Sequence, residues 1–152
     1  MSLDELLTRY PRFRRLADYL AAKAPPGKLP GRQHINPAEL SDVLPFLMLM
    51  DVLRQPSGPP RYRIRLMGTE VVAIQGFDGT GKLAEELLTG AEGAQVIAAY
   101  DDILRTKTPQ YRRGGVAAID RDHVPYARMA FPLASDGETI DMLIFVFVRA
   151  PD

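Results

Sequence analysis

Residues 76–82, Gly76-Phe77-Asp78-Gly79-Thr80-Gly81-Lys82, carry the spacing G-x-x-x-x-G-K of a phosphate-binding loop, in which backbone N–H groups and the lysine hold the β- and γ-phosphates of a nucleotide. Two features oppose that chemistry. Leu83 stands where a Ser or Thr would ligate magnesium, and residues 69–75 follow Thr69 as a helix cap instead of making the buried parallel strand such a loop requires. The other reading is a bend that closes a pocket, with Gly79 and Gly81 at positive φ and the Asp78 side chain capping the turn.

His123, flanked by Asp120 and Asp122, could form an acid-base pair, because a carboxylate fixes the imidazole tautomer and raises its basicity. No serine or other nucleophile accompanies it in a recognisable motif, so a solvated loop between two strands is the simpler reading. His34 has no ligand-like spacing, and two isolated histidines do not make a metal set. Without cysteine there can be no disulfide, thiolate metal site, cysteine nucleophile or cysteinyl link to a chromophore. No catalytic and no metal-ligating residue is assigned, and the chain is expected not to be an enzyme. A hydrolase using Lys82 or His123 is the remaining enzymatic alternative.

Met48, Met50, Met67, Met129 and Met142 all fall in strand-like segments. Methionine is flexible and polarizable, so these residues either fill a core or form a sheet face that adapts to an irregular ligand. A cavity on such a face is expected to be lined by Tyr62, Ile64, Leu66, Phe77, Tyr100, Met129 and Phe131, with Tyr62 or Tyr100 as its polar handle. Arg61, Arg63 and Arg65 alternate with Tyr62, Ile64 and Leu66, and either pair with carboxylates across strands or meet an acidic partner. Arg12, Arg14 and Arg15 read as a solvated helix face.

The elements that must position these residues follow from periodicity. Ser2 with Glu5 makes a capping box, and Leu3, Leu6, Leu7, Tyr10, Phe13, Leu16, Ala17 and Leu20 form the stripe of an amphipathic helix that Pro11 kinks or splits. Residues 24–31 are a connector rich in proline and glycine. They separate a helical extension, 1–28, from the main domain, 29–150. Asn36 and Pro37 open a short helix that Pro45 ends. Residues 46–53 are apolar on nearly every position, which suits a central strand covered on both faces, while 61–66 alternate as a strand nearer an edge does. Short helices at 69–75 and 83–88 precede a longer one over 94–106, which Pro109 stops. Three strands follow at 111–119, 126–134 and 139–148, the last two joined at Ser135-Asp136-Gly137-Glu138 and the last again apolar on both faces. The economical arrangement is α+β: five antiparallel strands with helices on one face and the N-terminal amphipathic helix in addition.

The 152 residues, 46% hydrophobic and 25% charged, suit one ordinary globular domain. Nineteen basic residues balance nineteen acidic ones, so no global field attracts nucleic acid or an anionic membrane surface. The longest apolar run, 142–148, is far below the roughly 20 residues of a spanning helix, and the N-terminus lacks signal-peptide character. A cytoplasmic protein is expected.

The residues Leu44-Pro45-Phe46, Met50-Asp51-Val52, Arg61-Tyr62-Arg63, Gly68-Thr69, Asp78-Gly79-Thr80-Gly81 and Leu133-Ala134-Ser135-Asp136-Gly137, in this order, resemble the PAS domains. They look most like the short, stand-alone PAS-type family of alphaproteobacteria. The resemblance spans about 29–148 and leaves the N-terminal helix outside. It implies a sheet of order 2-1-5-4-3, a sensory or protein-interaction role, usually through dimers, and no catalysis within the domain. Haem-binding members usually carry an axial histidine in the long helix. None occurs over 94–106, which argues against haem, and the absence of cysteine excludes cysteine-adduct flavin. The cofactor is otherwise left open.

The functional expectation is a cytoplasmic sensory or regulatory protein that takes a small apolar or amphipathic ligand. With no kinase, cyclase or helix-turn-helix segment attached, it would report in trans to a signalling protein. The N-terminal stripe must be buried on its own sheet or on a second copy, so a homodimer through the N-terminal helix or the sheet face is expected. The alternative is a ligand-free interaction module that only dimerises.

Overall fold

The computed structural model of the chain describes residues 1–114 and 124–150. Ser2 accepts a hydrogen bond from the Glu5 backbone N–H at 3.2 Å and so opens helix α1 (Leu3–Arg9). At Tyr10 the backbone becomes extended, and Pro11 starts α2 (Pro11–Lys23) from the first helical turn, where its missing N–H leaves nothing unpaired. Pro11 therefore splits the helix. The short helix expected after Asn36 is instead two 3-10 turns, Pro37–Leu40 and Leu44–Phe46, held by bonds three residues apart such as Glu39 N–H to the Asn36 carbonyl and Val43 N–H to the Leu40 carbonyl.

Strands β1 (Leu47–Leu53), β2 (Arg61–Met67), β3 (Gln110–Gly114), β4 (Tyr126–Leu133) and β5 (Met142–Arg149) form one sheet of order β2-β1-β5-β4-β3. Every pairing is antiparallel, and the two strands apolar on both faces lie side by side in the centre. Between β2 and β3 the chain makes helices α3 (Thr69–Gln75), α4 (Ala84–Leu87) and α5 (Gly90–Thr106). These three cover one face, above Met48, Met50, Ile64, Ala130, Leu143, Phe145 and Phe147.

Helices α1 and α2 cover the other face. Leu6, Leu7, Tyr10, Phe13, Leu16 and Leu20 pack with Leu47, Leu49, Met129, Phe131, Ile144 and Val146. Phe13 meets Tyr111 edge-on at 6.3 Å, and the hydroxyls of Tyr10 and Tyr111 lie 3.3 Å apart. Burial, followed by that hydrogen bond, pushes the Tyr111 hydroxyl up to about 12. Apart from Leu3, which is 47% exposed, the stripe thus finds its cover within one chain.

Two details redirect side chains. The β1–β2 register shifts between Leu49 and Met50, which face Leu66 and Ile64, so Arg65 is an extra residue on β2. This bulge turns Leu66 outward, where it is 46% exposed, and brings Met67 inward. In β4 the alternation places Ala127, Met129, Phe131 and Leu133 toward α1 and α2.

The arginines near α2 are not all a solvated face. Arg12 lies 3.5 Å over the Phe46 ring and donates to the Phe147 carbonyl at 2.9 Å, while Arg15 donates to Asp42 and to the Glu39 carbonyl. Cross-strand pairing does occupy Arg65, which binds Asp51 at 2.9 Å, and Arg61 binds Glu85 at 2.6 Å. No helix among the described residues is long and apolar enough to cross a membrane.

Phe13 is fully buried between α2 and the sheet. Phe13→Ala is expected to destabilise the fold by about 3–5 kcal/mol, read as a lower urea midpoint at unchanged slope. A loss below about 1 kcal/mol would mean that α2 does not dock there in solution.

Candidate functional site

Register builds the floor of a cavity on the face beneath α3, α4 and α5. Arg112 of β3 pairs with Arg128 of β4, which pairs with Phe147 of β5. The next row on this face runs Gln110, Ala130, Phe145, Met48 and Met67 across all five strands. Above these rows lies a cavity of about 90 Å³ lined by Met48, Met50, Ile64, Met67, Ala84, Val96, Tyr100, Arg128 and Phe147, all buried. Gln75, Phe77, Leu87, Leu88, Arg112 and Tyr126, at least partly exposed, complete its rim.

The glycine loop shapes this rim. Gly76 closes α3 in the left-handed conformation at φ 85°, which a side chain would disfavour, and Gly81 adopts φ 88°. Gly79, expected at positive φ, is not among the positive-φ residues; a Cβ there would come within 2.9 Å of Leu87 Cδ1 and 3.0 Å of Ile64 Cδ1, side-chain tips that would have to move aside. Asp78 does cap the bend. Its Oδ1 accepts from the Thr80 hydroxyl at 2.6 Å and the Thr80 N–H at 3.0 Å, which holds its carboxyl below the usual range.

No phosphate cradle exists here. The Thr80 N–H goes to Asp78, the Gly81 N–H to the Ile64 carbonyl at 2.7 Å, the Lys82 N–H to the Gly79 carbonyl at 2.9 Å, and the Leu83 N–H to Glu86 at 2.8 Å. Ile64 in turn donates to the Lys82 carbonyl at 2.9 Å, so the loop covers the open edge of β2. A helix, α3, precedes the loop where a phosphate-binding loop follows a strand.

Of the expected lining, Ile64, Phe77 and Tyr100 come together at the cavity. Tyr62 stands behind it, its ring edge-on to Tyr100 at 5.2 Å and its hydroxyl donating to Asp101 at 2.6 Å. Burial, then that bond, raises the Tyr62 hydroxyl, and burial raises Tyr100, so both stay protonated across ordinary pH. Leu66, Met129 and Phe131 are corrected: the bulge exposes Leu66, and the phase of β4 puts Met129 and Phe131 under the N-terminal helices. Gly79 at positive φ is corrected as above, in favour of Gly76 and Gly81.

Sequence reasoning missed Arg128, Arg112, Tyr126 and Phe147. The signal was present. Between Ala127 and Leu133 every other residue is apolar, and Arg128 is the one charge in that run. His123, Asp120 and Asp122 lie outside the described residues, and His34 accepts the Gly31 N–H through Nδ1 at 2.9 Å. No cluster of metal-ligating side chains occurs among the described residues.

A sheet in this order, with a helical middle over one face and a cavity between them, defines a sensory-domain architecture. A family model described as PAS domain matches residues 9–146, and the chain belongs to that family. The match includes the whole of α2. Among solved structures, a sensory box sensor histidine kinase from Vibrio cholerae is 18% identical, with 76% of this chain and 90% of that one covered at a TM-score of 0.48. A Rhodobacter sphaeroides LOV protein is 16% identical, with 76% and 68% covered at a TM-score of 0.47. No curated protein matches the chain.

Lys82 is exposed, and its loop makes no cradle. Lys82→Ala is expected to change stability by less than about 0.5 kcal/mol, and calorimetric titration with ATP and magnesium to give no heat with either protein. Heat in the parent protein that the variant lacks would restore the nucleotide reading.

Proposed function

We propose that this PAS domain is a cytoplasmic sensory protein that holds a small molecule between its sheet and its helical middle and reports occupancy to a partner protein. The observation that carries the proposal is the cavity beneath α3, α4 and α5, with Met48, Met50 and Met67 in its wall. A wall of unbranched thioethers repacks around an irregular guest with little rotamer strain. At about 90 Å³ the space is below the roughly 150 Å³ that accepts benzene in an engineered apolar cavity, so the guest is small or the methionines give way.

A route for reporting is built from shared strands. Phe147 puts its ring in the cavity, and its carbonyl accepts from Arg12 of α2 on the opposite side of the sheet. A ligand that moves β5 therefore acts on α2 through one hydrogen bond. It shifts the packing of α2 only by its differential affinity for the two arrangements, tenfold for each ~1.4 kcal/mol.

Mass spectrometry of protein purified under native conditions and then denatured tests the proposal. A small organic molecule near one equivalent per chain is the expected result. Its absence, together with failure of small probes to bind, would leave a ligand-free interaction module as the function.

A further inference from the structure

Arg128 is 3% exposed, and both terminal nitrogens of its guanidinium are buried without a hydrogen-bond partner. Its surroundings are aromatic and apolar. The guanidinium carbon lies 5.1 Å from the Phe145 ring centroid and 5.7 Å from that of Tyr100. Ring contacts of this kind compensate a desolvated cation only in part. The titratable groups facing it are Tyr100, Tyr126 and Arg112, of which only Arg112 is charged at neutral pH, and no carboxylate is among them. Arg112, its cross-strand partner in register, is a second cation at the cavity rim and adds repulsion.

Five arginines nearer the surface hold carboxylates: Arg15 with Asp42, Arg61 with Glu85, Arg65 with Asp51, Arg105 with Asp102 and Arg149 with Glu70. Among the described residues Arg128 is the one arginine taken fully out of water; no carboxylate pairs with it there, and it forms part of the cavity wall. A guanidinium in that position has five N–H donors in a planar fork, which fits a carboxylate with two parallel bonds.

We infer that the ligand of this cavity is a small organic monocarboxylate whose carboxylate pairs with Arg128 and whose short apolar tail lies against Met48, Met50 and Met67. The inference rests on the sensory reading given above and names the chemistry of its ligand. The volume sets the size at about four to six heavy atoms, by comparison with benzene in a somewhat larger cavity. Adjustment of the methionine wall brings the carboxylate to the two sealed nitrogens. The ligand-free protein carries an unpaired buried cation, and binding removes that penalty. Neutral guests lack this gain.

The test uses the full chain with three probes at matched ionic strength: propionate, its neutral isostere propionamide, and inorganic phosphate as an anion without a tail. Calorimetry and thermal melts are expected to show propionate binding and raising the melting temperature, with propionamide and phosphate at least tenfold weaker. Arg128→Met is expected to melt a few degrees above the parent without ligand and to bind propionate about ten- to a hundredfold more weakly, the span of a lost charge-assisted pair. If Arg128→Met does not fold, Arg128→Gln is expected to show the same loss of propionate. Equal binding of propionamide and propionate, unchanged in the variant, would overturn the anionic assignment and leave the sensory reading standing. No binding of any probe at millimolar concentration would also overturn it. The sensory reading falls as well only if native purification also yields no small molecule.

Discussion

β5 is apolar toward both sides and sits between two other strands, so the sheet needs a layer over each face. Phe145, Leu143 and Phe147 point to one side, Ile144, Val146 and Met142 to the other, and none of the six is exposed. One layer comes from the chain between β2 and β3, and the other from the residues before β1. This demand makes α1 and α2 part of the core rather than an appendage, in line with a family match that begins at residue 9.

The two layers are not equally finished. α2 is 13 residues long and sets Phe13 and Leu16, both fully buried, into the sheet, with Tyr10 and Tyr111 filling the margin. On the other side α3 has 7 residues and α4 has 4, joined by residues 76–83, a loop with glycines at 76, 79 and 81 whose backbone donors bond within the loop, to β2 and to α4. Helices this short present few side chains and owe their stability to packing. Only α5 is long enough to span this face. Space is left where the short elements meet the methionines, so the cavity follows from element lengths as much as from side-chain choice.

How far the sequence discloses this depends on the kind of constraint. The central place of the first and last strands was legible because a strand covered on both faces loses its alternation, and 46–53 and 139–148 both do so, while the full order followed only from the resemblance to PAS domains. The pocket lining was legible only where alternation is unbroken, as at Ile64. A bulge at Arg65 reverses the phase for Leu66 without any Gly or Pro to mark it. In β4, apolar residues occupy both faces, so hydrophobicity alone could not say whether Met129 and Phe131 or their neighbours face the cavity. The charge could have said it: Arg128 fixes which positions of β4 face the cavity layer, because Ala130 shares its side and Met129 does not. The glycine loop is legible as a bend but not in detail, since Gly76 and Gly81 take positive φ while Gly79 does not and is only crowded by the side-chain tips of Leu87 and Ile64.

Shared strands make the two faces interdependent. Arg128 and Phe147 belong to the cavity, while their neighbours Ala127, Met129 and Val146 belong to the layer under α2. Any guest that displaces the first pair also moves the backbone carrying the second set, because adjacent strand residues alternate sides on one rigid peptide chain. The well-filled α2 layer resists small shifts and tolerates only discrete rearrangements, since close-packed interiors do not deform continuously. Arg12 adds a directional contact at that seam: its guanidinium is partly buried, which lowers its proton affinity, and it spans from the Phe46 ring to the Phe147 carbonyl. A cavity with a cation in its wall is therefore backed by a tightly filled helical layer, and the two share the strands that separate them.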